Sequence, residues 1–244
     1  MTLGNEKAYN TKETCDLFAK YFSSIYVKSN SDDDHPQIPT SPELPEMENF
    51  QITFKAIIKK LKRLDCTKGK GPDNIPPIFF NKCARSLAEP LSTIFNTSLT
   101  TGIFPSKWKE ARIVPIFKAG NKELICNYRP ISILSTLSKT FEALVYPHLY
   151  NHIKHIISHN QHGFVTKRST NTNLIDHVSN LAEAVDNGLQ IDSIYTDFAK
   201  AFDSFDHQTL LRKLKSFGIT KPFFVWCESY LEARTLKVGC IGWQ

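Results

Sequence analysis

The sequence lacks long hydrophobic runs. No stretch reaches the roughly 18 apolar residues that a membrane-spanning helix needs. The N-terminal stretch MTLGNEKAYNTKETC is polar and lacks the apolar centre of a signal peptide. We therefore expect no membrane segment, and a protein that works inside the cell, in the nucleus or the cytoplasm.

Cysteine patterns that bind zinc are also missing. The chain has six cysteines, and none of them forms a CxxC pair or a Cys/His cluster with zinc spacing. Reduced, mostly buried thiols are therefore expected. Adjacent aspartates occur only within residues 32–34. This proline-rich stretch has no apolar strand around it, so we predict no site there.

Positive charge is concentrated in one part of the chain. Residues 1–50 hold four lysines against nine Asp and Glu, whereas residues 55–122 hold fourteen Lys and Arg against four acids. A basic block of this kind suits a polyanion such as nucleic acid. A lysine-rich surface that contacts only water is the simpler alternative, and charge alone does not decide between them.

The pattern of apolar residues predicts an α+β fold, because helices and strands alternate without regular βαβ units. An amphipathic helix over residues 11–27 precedes an acidic, proline-rich linker, and the globular part is expected to begin near Gln51. Helices are predicted at 53–63, at 77–101 (one helix, or two with a break at Pro90), at 136–157, from Ser169 or Thr170 to Asn187, at 206–217 and at 221–233. Strands are predicted as a hairpin within 111–134 whose tip is KAGNK, at 189–198, and from Thr235.

The stretch IYTDFAKAFDSFDH, residues 194–207, contains three aspartates behind an apolar run. Asp197 lies at the end of the predicted buried strand, where a carboxylate is well placed to hold Mg²⁺. The alternative is a strand-end aspartate that only begins a turn. Asp203 is expected in the turn, and Asp206 is expected to cap the helix that begins at His207.

This stretch resembles the first catalytic motif of reverse transcriptases, and four other segments resemble motifs of the same family in the same order. They are GKGPDNIP, GIFPSKWKEARIVPIFKAGNK, NYRPISILSTLSKTFEALV and QHGFVTKRSTNTNL. With these five motifs, the chain resembles the polymerases of non-LTR retrotransposons of the jockey type over residues 8–244. The resemblance implies a right-hand polymerase fold, of which the chain holds the fingers and the first part of the palm.

The resemblance implies roles for residues near the first motif. Asp197 would be the first metal-binding aspartate and the catalytic residue, and the carbonyl of Phe198 would be an additional ligand. The ion would be Mg²⁺, with Mn²⁺ as an alternative. Phe202 would lie beneath the sugar of the incoming nucleotide and select deoxynucleotides, because its ring would collide with a 2′-hydroxyl. A core aromatic is the alternative for Phe202.

The resemblance also implies that the hairpin binds the incoming dNTP. Arg129 would bind the triphosphate, since a guanidinium pairs two phosphate oxygens at once. Lys118 or Lys122, at the hairpin tip, would supply a second positive charge. Without the family, Arg129 would be a surface strand residue and the lysines would be ordinary turn residues.

An RNA template and a DNA primer are the implied partners. Candidate contacts to the duplex are Gln161, Lys167, Arg168 and Ser169, and the candidate contacts to the template are Lys68, Lys70 and the basic helix 53–63. Such contacts should go mainly to phosphates and depend on salt. Relatives often have Arg where this chain has Val165, which puts the contact of that loop in question.

The domain boundaries follow from the same reasoning. We expect an N-terminal helix and linker in residues 1–50, fingers and the start of the palm in 51–190, and a partial palm in 191–244. The family's PQG helix and its Ala-Asp-Asp hairpin are not found in the sequence, so we expect these 244 residues alone to lack polymerase activity. The oligomeric state is not predicted.

Two other functions compete with this hypothesis. The first is a nucleic-acid-binding module without catalysis, derived from a decayed element, whose RNA binding would survive Asp197→Asn. The second is an unrelated α+β structural protein with a basic face, which would show only loose charge attraction to nucleic acid.

Overall fold

The structure is a computed structural model, and it describes residues 1–26, 44–198, 201 and 205–239. Helices and strands are mixed, as the sequence predicts. The helices are α1 (Thr11–Ser23), α2 (Phe54–Lys62), α3 (Pro77–Lys82), α4 (Ala84–Thr101), α5 (Thr136–Ile153), α6 (Thr170–Asp186), α7 (His207–Ser216) and α8 (Phe223–Leu231). The strands are β1 (Thr2–Leu3), β2 (Glu6–Lys7), β3 (Glu110–Phe117), β4 (Tyr128–Leu134) and β5 (Thr235–Val238).

The chain forms two compact units. Unit 1 contains Met1–Leu149 and Lys200–Gln244, and unit 2 contains Tyr150–Ala199. No helix in the described ranges is both long and apolar enough to cross a membrane.

Local sequence signals set where several helices begin. The side chain of Thr53 accepts a hydrogen bond from the backbone N–H of Ala56 at 3.2 Å, and Asp206 caps α7 through the N–H of Thr209 at 2.7 Å. Ser169 and Thr172 form a capping box at the start of α6. All three caps confirm the positions predicted from the sequence.

The main sheet of unit 1 has the strand order β4-β3-β5. Strands β3 and β4 form the predicted antiparallel hairpin, in which Ala111 lies opposite Leu134 and Phe117 opposite Tyr128. Strand β5 pairs in parallel with the first half of β3, from Glu110 to Ile113. The second half of β3 therefore extends toward the hairpin tip beyond its pairing with β5.

An aromatic cluster lies at the centre of unit 1, between helices α4, α5 and α8. Phe95 stacks on Phe141 with a centroid distance of 4.4 Å, and Phe104 meets Trp226 edge-on at 5.4 Å. The indole N–H of Trp226 donates to the buried hydroxyl of Ser98 at 3.0 Å. The cluster thus satisfies its polar groups, as a well-packed core requires.

Helix α1 packs against the sheet and so belongs to the compact part of unit 1. Leu17, Phe18 and Phe22 are buried in a second core with Ile113 and Ile125. The sequence indicates the amphipathic helix but not its docking site, because an apolar stripe does not specify what covers it.

The predicted break at Pro90 is wrong, because Pro90 lies inside α4 and the helix break falls at Cys83. Pro90 is exposed. Ser86, whose carbonyl would accept the N–H that Pro90 lacks, is also exposed. Solvent access at this position lowers the cost of a proline in the helix.

The predicted strand at 189–198 is also wrong. Residues 189–198 adopt neither strand nor helix, and the side chains of Ile194 and Phe198 are 89% and 85% exposed. Branched and aromatic residues favour a strand when neighbouring strands pack against them, and in the described ranges no strand pairs with this segment.

Candidate nucleotide and nucleic-acid interface

The sheet of unit 1 has two chemically different faces. Side chains alternate between the faces along each strand, so Ile113, Tyr128 and Val238 turn to α1 and form part of the second core. The opposite face carries four basic side chains in two neighbouring pairs, Arg112 with Lys237 and Arg129 with Lys118. It also carries Glu110, whose carboxylate lies 3.3 Å from the ammonium group of Lys237. We call this side of the sheet the cationic face.

Arg129 and Lys118 lie on the same face of the hairpin. Arg129 is directly opposite Ile116 in the register, and Lys118 is two residues after Ile116. The N–H of Lys118 donates to the carbonyl of Asn127 at 2.9 Å, which continues the pairing one step beyond β3. This register makes Arg129 and Lys118 diagonal neighbours on the cationic face. Both residues are exposed.

Lys122 lies on the other side of the hairpin. Its ammonium group is 5.7 Å from the ring centroid of Phe117, and its carbonyl accepts from the hydroxyl of Tyr128 at 2.9 Å. Phe117 and Tyr128 are opposite each other on the face that turns to α1. The structure thus separates the two lysines that the sequence leaves as alternatives.

The N-terminal segment holds the hairpin tip in place. The N–H of Thr2 donates to the carbonyl of Glu123 at 2.7 Å, and the ring of Phe18 meets Tyr128 edge-on at 5.1 Å. Ile125, in the returning arm of the tip, is fully buried. The tip is therefore an ordered loop whose conformation depends on residues more than 100 positions earlier.

A glycine-containing loop crosses close to the sheet at Arg112. The guanidinium of Arg112 donates to the carbonyl of Lys70 at 3.3 Å. The next residue, Gly71, is buried, and a Cβ added there would lie 2.7 Å from the Cα of Ser135. This loop therefore depends on the absence of a side chain at position 71, and it carries Lys68 and Lys70.

The two loop lysines differ in their surroundings. The ammonium group of Lys68 lies 3.8 Å from the carboxylate of Asp65. A hydrogen bond from the hydroxyl of Thr67 lowers the pKa of Asp65, which keeps that carboxylate ionised beside Lys68. Lys70 lies directly beside the anchored Gly71, so its backbone position is set by the sheet.

In unit 2, the loop before α6 is held by its own side chains. Arg168 donates to the carbonyls of His159 and Gln161, and the amide of Gln161 donates to the carbonyl of Gly163 at 3.0 Å. Ser169 caps α6. Lys167 is exposed and has a positive φ of 66°. Of the four residues predicted to contact nucleic acid here, three have identified structural partners, and Lys167 projects into solvent.

Asp197 and Phe198 lie at the end of unit 2, and both are exposed. Phe202 and Asp203 fall outside the residues that the structure describes. Asp197 and the carbonyl of Phe198 are hard oxygen donors, which is the chemistry that Mg²⁺ prefers. Within the described ranges, however, no three His, Cys, Asp or Glu side chains cluster closely enough to hold a metal ion, so these residues do not form a complete metal site.

Arg112 and Lys237 on the cationic face were not identified from the sequence. The alternation Arg112, Val114, Ile116, Lys118 is a period-2 signal that could have placed Arg112 on the same face of the strand as Lys118. Lys237 could not have been placed, because its position depends on the parallel pairing of β5 with β3.

Known proteins resemble this chain over most of its length. The probable RNA-directed DNA polymerase from transposon BS of Drosophila melanogaster is 28% identical over 96% of the chain and 27% of its own length. The RNA-directed DNA polymerase from mobile element jockey of the same species is 30% identical over 79% of the chain and 21% of its own length. An uncharacterized 149 kDa protein of transposon TX1 of Xenopus laevis is 26% identical over 78% of the chain and 14% of its own length.

The chain therefore spans about a quarter or less of the curated relatives that it matches. A family model described as reverse transcriptase (RNA-dependent DNA polymerase) matches residues 117–243. This range begins at the end of β3, and it includes Arg129 and Asp197. Because it covers just over half of the 244 residues, the chain belongs to the reverse transcriptase family.

Proposed function

We propose that the chain forms the fingers and the first part of the palm of an RNA-directed DNA polymerase of a non-LTR retrotransposon. In the longer protein, it would help to add deoxynucleotides to a primer 3′-OH on an RNA template. The observation that carries this proposal is the cationic face, where Arg129 and Lys118 are neighbours on a sheet whose other face packs against α1.

The cationic face suits the triphosphate of an incoming dNTP. A guanidinium offers parallel N–H donors to two phosphate oxygens, and the ammonium group of Lys118 adds a point charge. In phosphoryl transfer, positioning and charge neutralisation supply most of the catalysis. Since Lys122 packs on the opposite side of the hairpin, we assign the second contact to Lys118.

Nucleic acid would contact basic residues on both units. Lys70 and Lys68 would bind template phosphates, and Lys167 would bind the backbone of the primer-template duplex. Gln161, Arg168 and Ser169 would shape the loop that presents Lys167, because their side chains already have partners there.

Asp197 would supply one carboxylate ligand to a divalent ion, with the carbonyl of Phe198 beside it. Reverse transcriptases as a family use divalent metal ions, and Mg²⁺ or Mn²⁺ would align the reacting oxygens when bound. Phe202 would lie beneath the sugar, as the family resemblance implies.

Binding of a primed RNA template by the purified 244-residue chain tests the nucleic-acid part of this proposal. Fluorescence anisotropy is measured over a series of KCl concentrations. The logarithm of the association constant K should fall linearly with log[KCl], and each phosphate contact should add about 0.7–0.9 to the steepness of the slope. Lys70→Gln should reduce the slope by about one contact. A chain without salt-dependent RNA affinity would refute the proposed function.

Catalysis is tested in a chimaera in which this chain replaces the matching region of the D. melanogaster jockey polymerase. Asp197→Asn should abolish dNTP incorporation, whereas Asp192→Asn, an exposed control in the same segment, should not. If the parent chimaera is active and Asp197→Asn keeps its activity, Asp197 is not a metal ligand. If the 244-residue chain binds RNA but the parent chimaera makes no DNA, a non-catalytic binding module is favoured.

A further inference from the structure

Helix α3 presents two large apolar side chains to solvent. Ile78 and Phe79 are 44% and 46% exposed, whereas Pro77 and Phe80 on the other side of the helix are buried. The rings of Phe79 and Phe80 meet edge-on, with centroids 5.5 Å apart and an interplanar angle of 79°. This contact braces the Phe79 ring from the protein side and leaves nearly half of the residue accessible.

Asn81 fixes α3 against the end of α2. Its side-chain amide donates to the carbonyls of Leu61 and Lys62 at 3.2 Å and 2.9 Å. These carbonyls belong to the last turn of α2, where helix ends leave acceptors for outside partners. The carbonyl of Leu61 also accepts the N–H of Leu64 at 3.2 Å. Helix α3 is therefore held next to the basic C-terminal end of α2.

The segment of the chain that contains this exposed pair is rich in basic residues. From Lys55 to Arg85 the chain has nine Lys and Arg against two Asp. Lys82 follows Phe79 by three residues and therefore lies on the same side of the helix. The exposed basic residues of this region are Lys55, Lys59, Lys62, Arg63, Lys68, Lys70, Lys82 and Arg85.

We infer that Phe79 is a stacking platform for an unpaired base of single-stranded nucleic acid, with Lys82 and Lys70 at its phosphates. This inference rests on the proposed function and extends its template-binding surface from the Lys70 loop to α3. An accessible aromatic ring among basic side chains is the combination that binds single strands, because every base has a face that can stack and every linkage carries a charge. Bases in a duplex already stack on one another, so duplexes should use the ring much less.

The test uses the 244-residue chain and a fluorescein-labelled single-stranded RNA oligonucleotide. Phe79→Ala should weaken binding at least about fivefold, and the dependence of log K on log[KCl] should stay the same because no charge is lost. Lys82→Gln should instead lower that slope by about 0.7. Phe79→Trp should keep the affinity. Ile94→Ala, which truncates a side chain 44% exposed on α4, should have no effect.

Phe79→Leu separates stacking from folding. It keeps an apolar side chain in contact with Phe80 but removes the aromatic plane, so it should lose affinity as Phe79→Ala does while keeping the melting temperature of the parent chain. Equal losses for a single strand and for a fully paired duplex would overturn the inference.

Two further outcomes are distinguishable. If the parent chain binds RNA and Phe79→Ala binds within twofold of it, the stacking platform is wrong while the proposed function stands. If the parent chain shows no salt-dependent RNA binding, the proposed function itself fails, and the platform fails with it.

Discussion

Gly71→Ala should destabilise unit 1 because the new methyl group would collide with backbone atoms. The added Cβ would lie 2.7 Å from the Cα of Ser135 and 2.9 Å from the carbonyl oxygen of Leu134. Relaxed carbon contacts are about 3.5–4.0 Å. These atoms belong to the junction of β4 and α5 and cannot rotate away, so the loop itself must move.

Overpacking of this kind typically costs about 1–3 kcal/mol. The φ of Gly71 is not positive, so alanine is not strained by its backbone conformation and the cost is purely steric. Gly69→Ala is the matched control in the same loop, because no atom lies within 4 Å of a Cβ at that position. It should leave the free energy of unfolding within about 0.5 kcal/mol of the parent.

Urea unfolding followed by tryptophan fluorescence measures the difference, since Trp226 is buried in the core of unit 1. Displacing the loop should also break the bond from Arg112 to the carbonyl of Lys70 and weaken RNA binding in Gly71→Ala but not in Gly69→Ala. If the two variants unfold at the same urea concentration with the same slope, the contact of Gly71 with Ser135 does not constrain the loop and the reasoning is wrong.

Three further predictions concern single side chains. In the active chimaera, Lys118→Ala should raise the KM for dNTP about tenfold or more, because it removes a charged contact of about 1.5–3 kcal/mol. Lys122→Ala should change the KM little. Equal effects of the two substitutions would contradict the placement of the two lysines on different sides of the hairpin. Burial raises the pKa of Glu142, so its ionisation opposes folding. Glu142→Gln should raise the Tm at neutral pH, and this gain should disappear as the pH falls below the ordinary pKa of 4.5; a Tm gain confined to acidic pH would refute it. Burial also raises the pKa of Cys227 to about 12, so iodoacetamide at pH 8 should alkylate the exposed Cys66 long before Cys227. Mass spectrometry of the folded chain gives the order of alkylation, and the reverse order would contradict the burial of Cys227 in unit 1.

The helix caps and the hairpin could be predicted because their signals are local. Thr53, Ser169 and Asp206 each bond to a backbone N–H three residues later, and this contact needs nothing from the rest of the chain. The hairpin likewise follows from two β-rich runs around a Gly-Asn signal. Membership of the reverse transcriptase family could be recognised from five motifs in series, and the comparisons confirm it.

The strand at 189–198 could not be judged from its own residues. Its branched and aromatic residues have strand propensity, but a strand exists only where a second strand supplies its hydrogen bonds. Asp197 accordingly lies in an exposed segment without regular secondary structure, and its role as a metal ligand stays a prediction.

The sequence by itself determined the family, the helix starts, the basic character of residues 55–122 and the residues from which a nucleotide site could be built. Only the tertiary structure decided which of them share a surface. Lys118 lies beside Arg129, Lys122 lies on the other side of the hairpin, and Arg112 anchors a loop about 40 residues earlier in the chain. Contacts between distant segments cannot be read from a local sequence pattern. The hairpin register depends on the type and length of its turn, which the Gly-Asn signal alone does not fix.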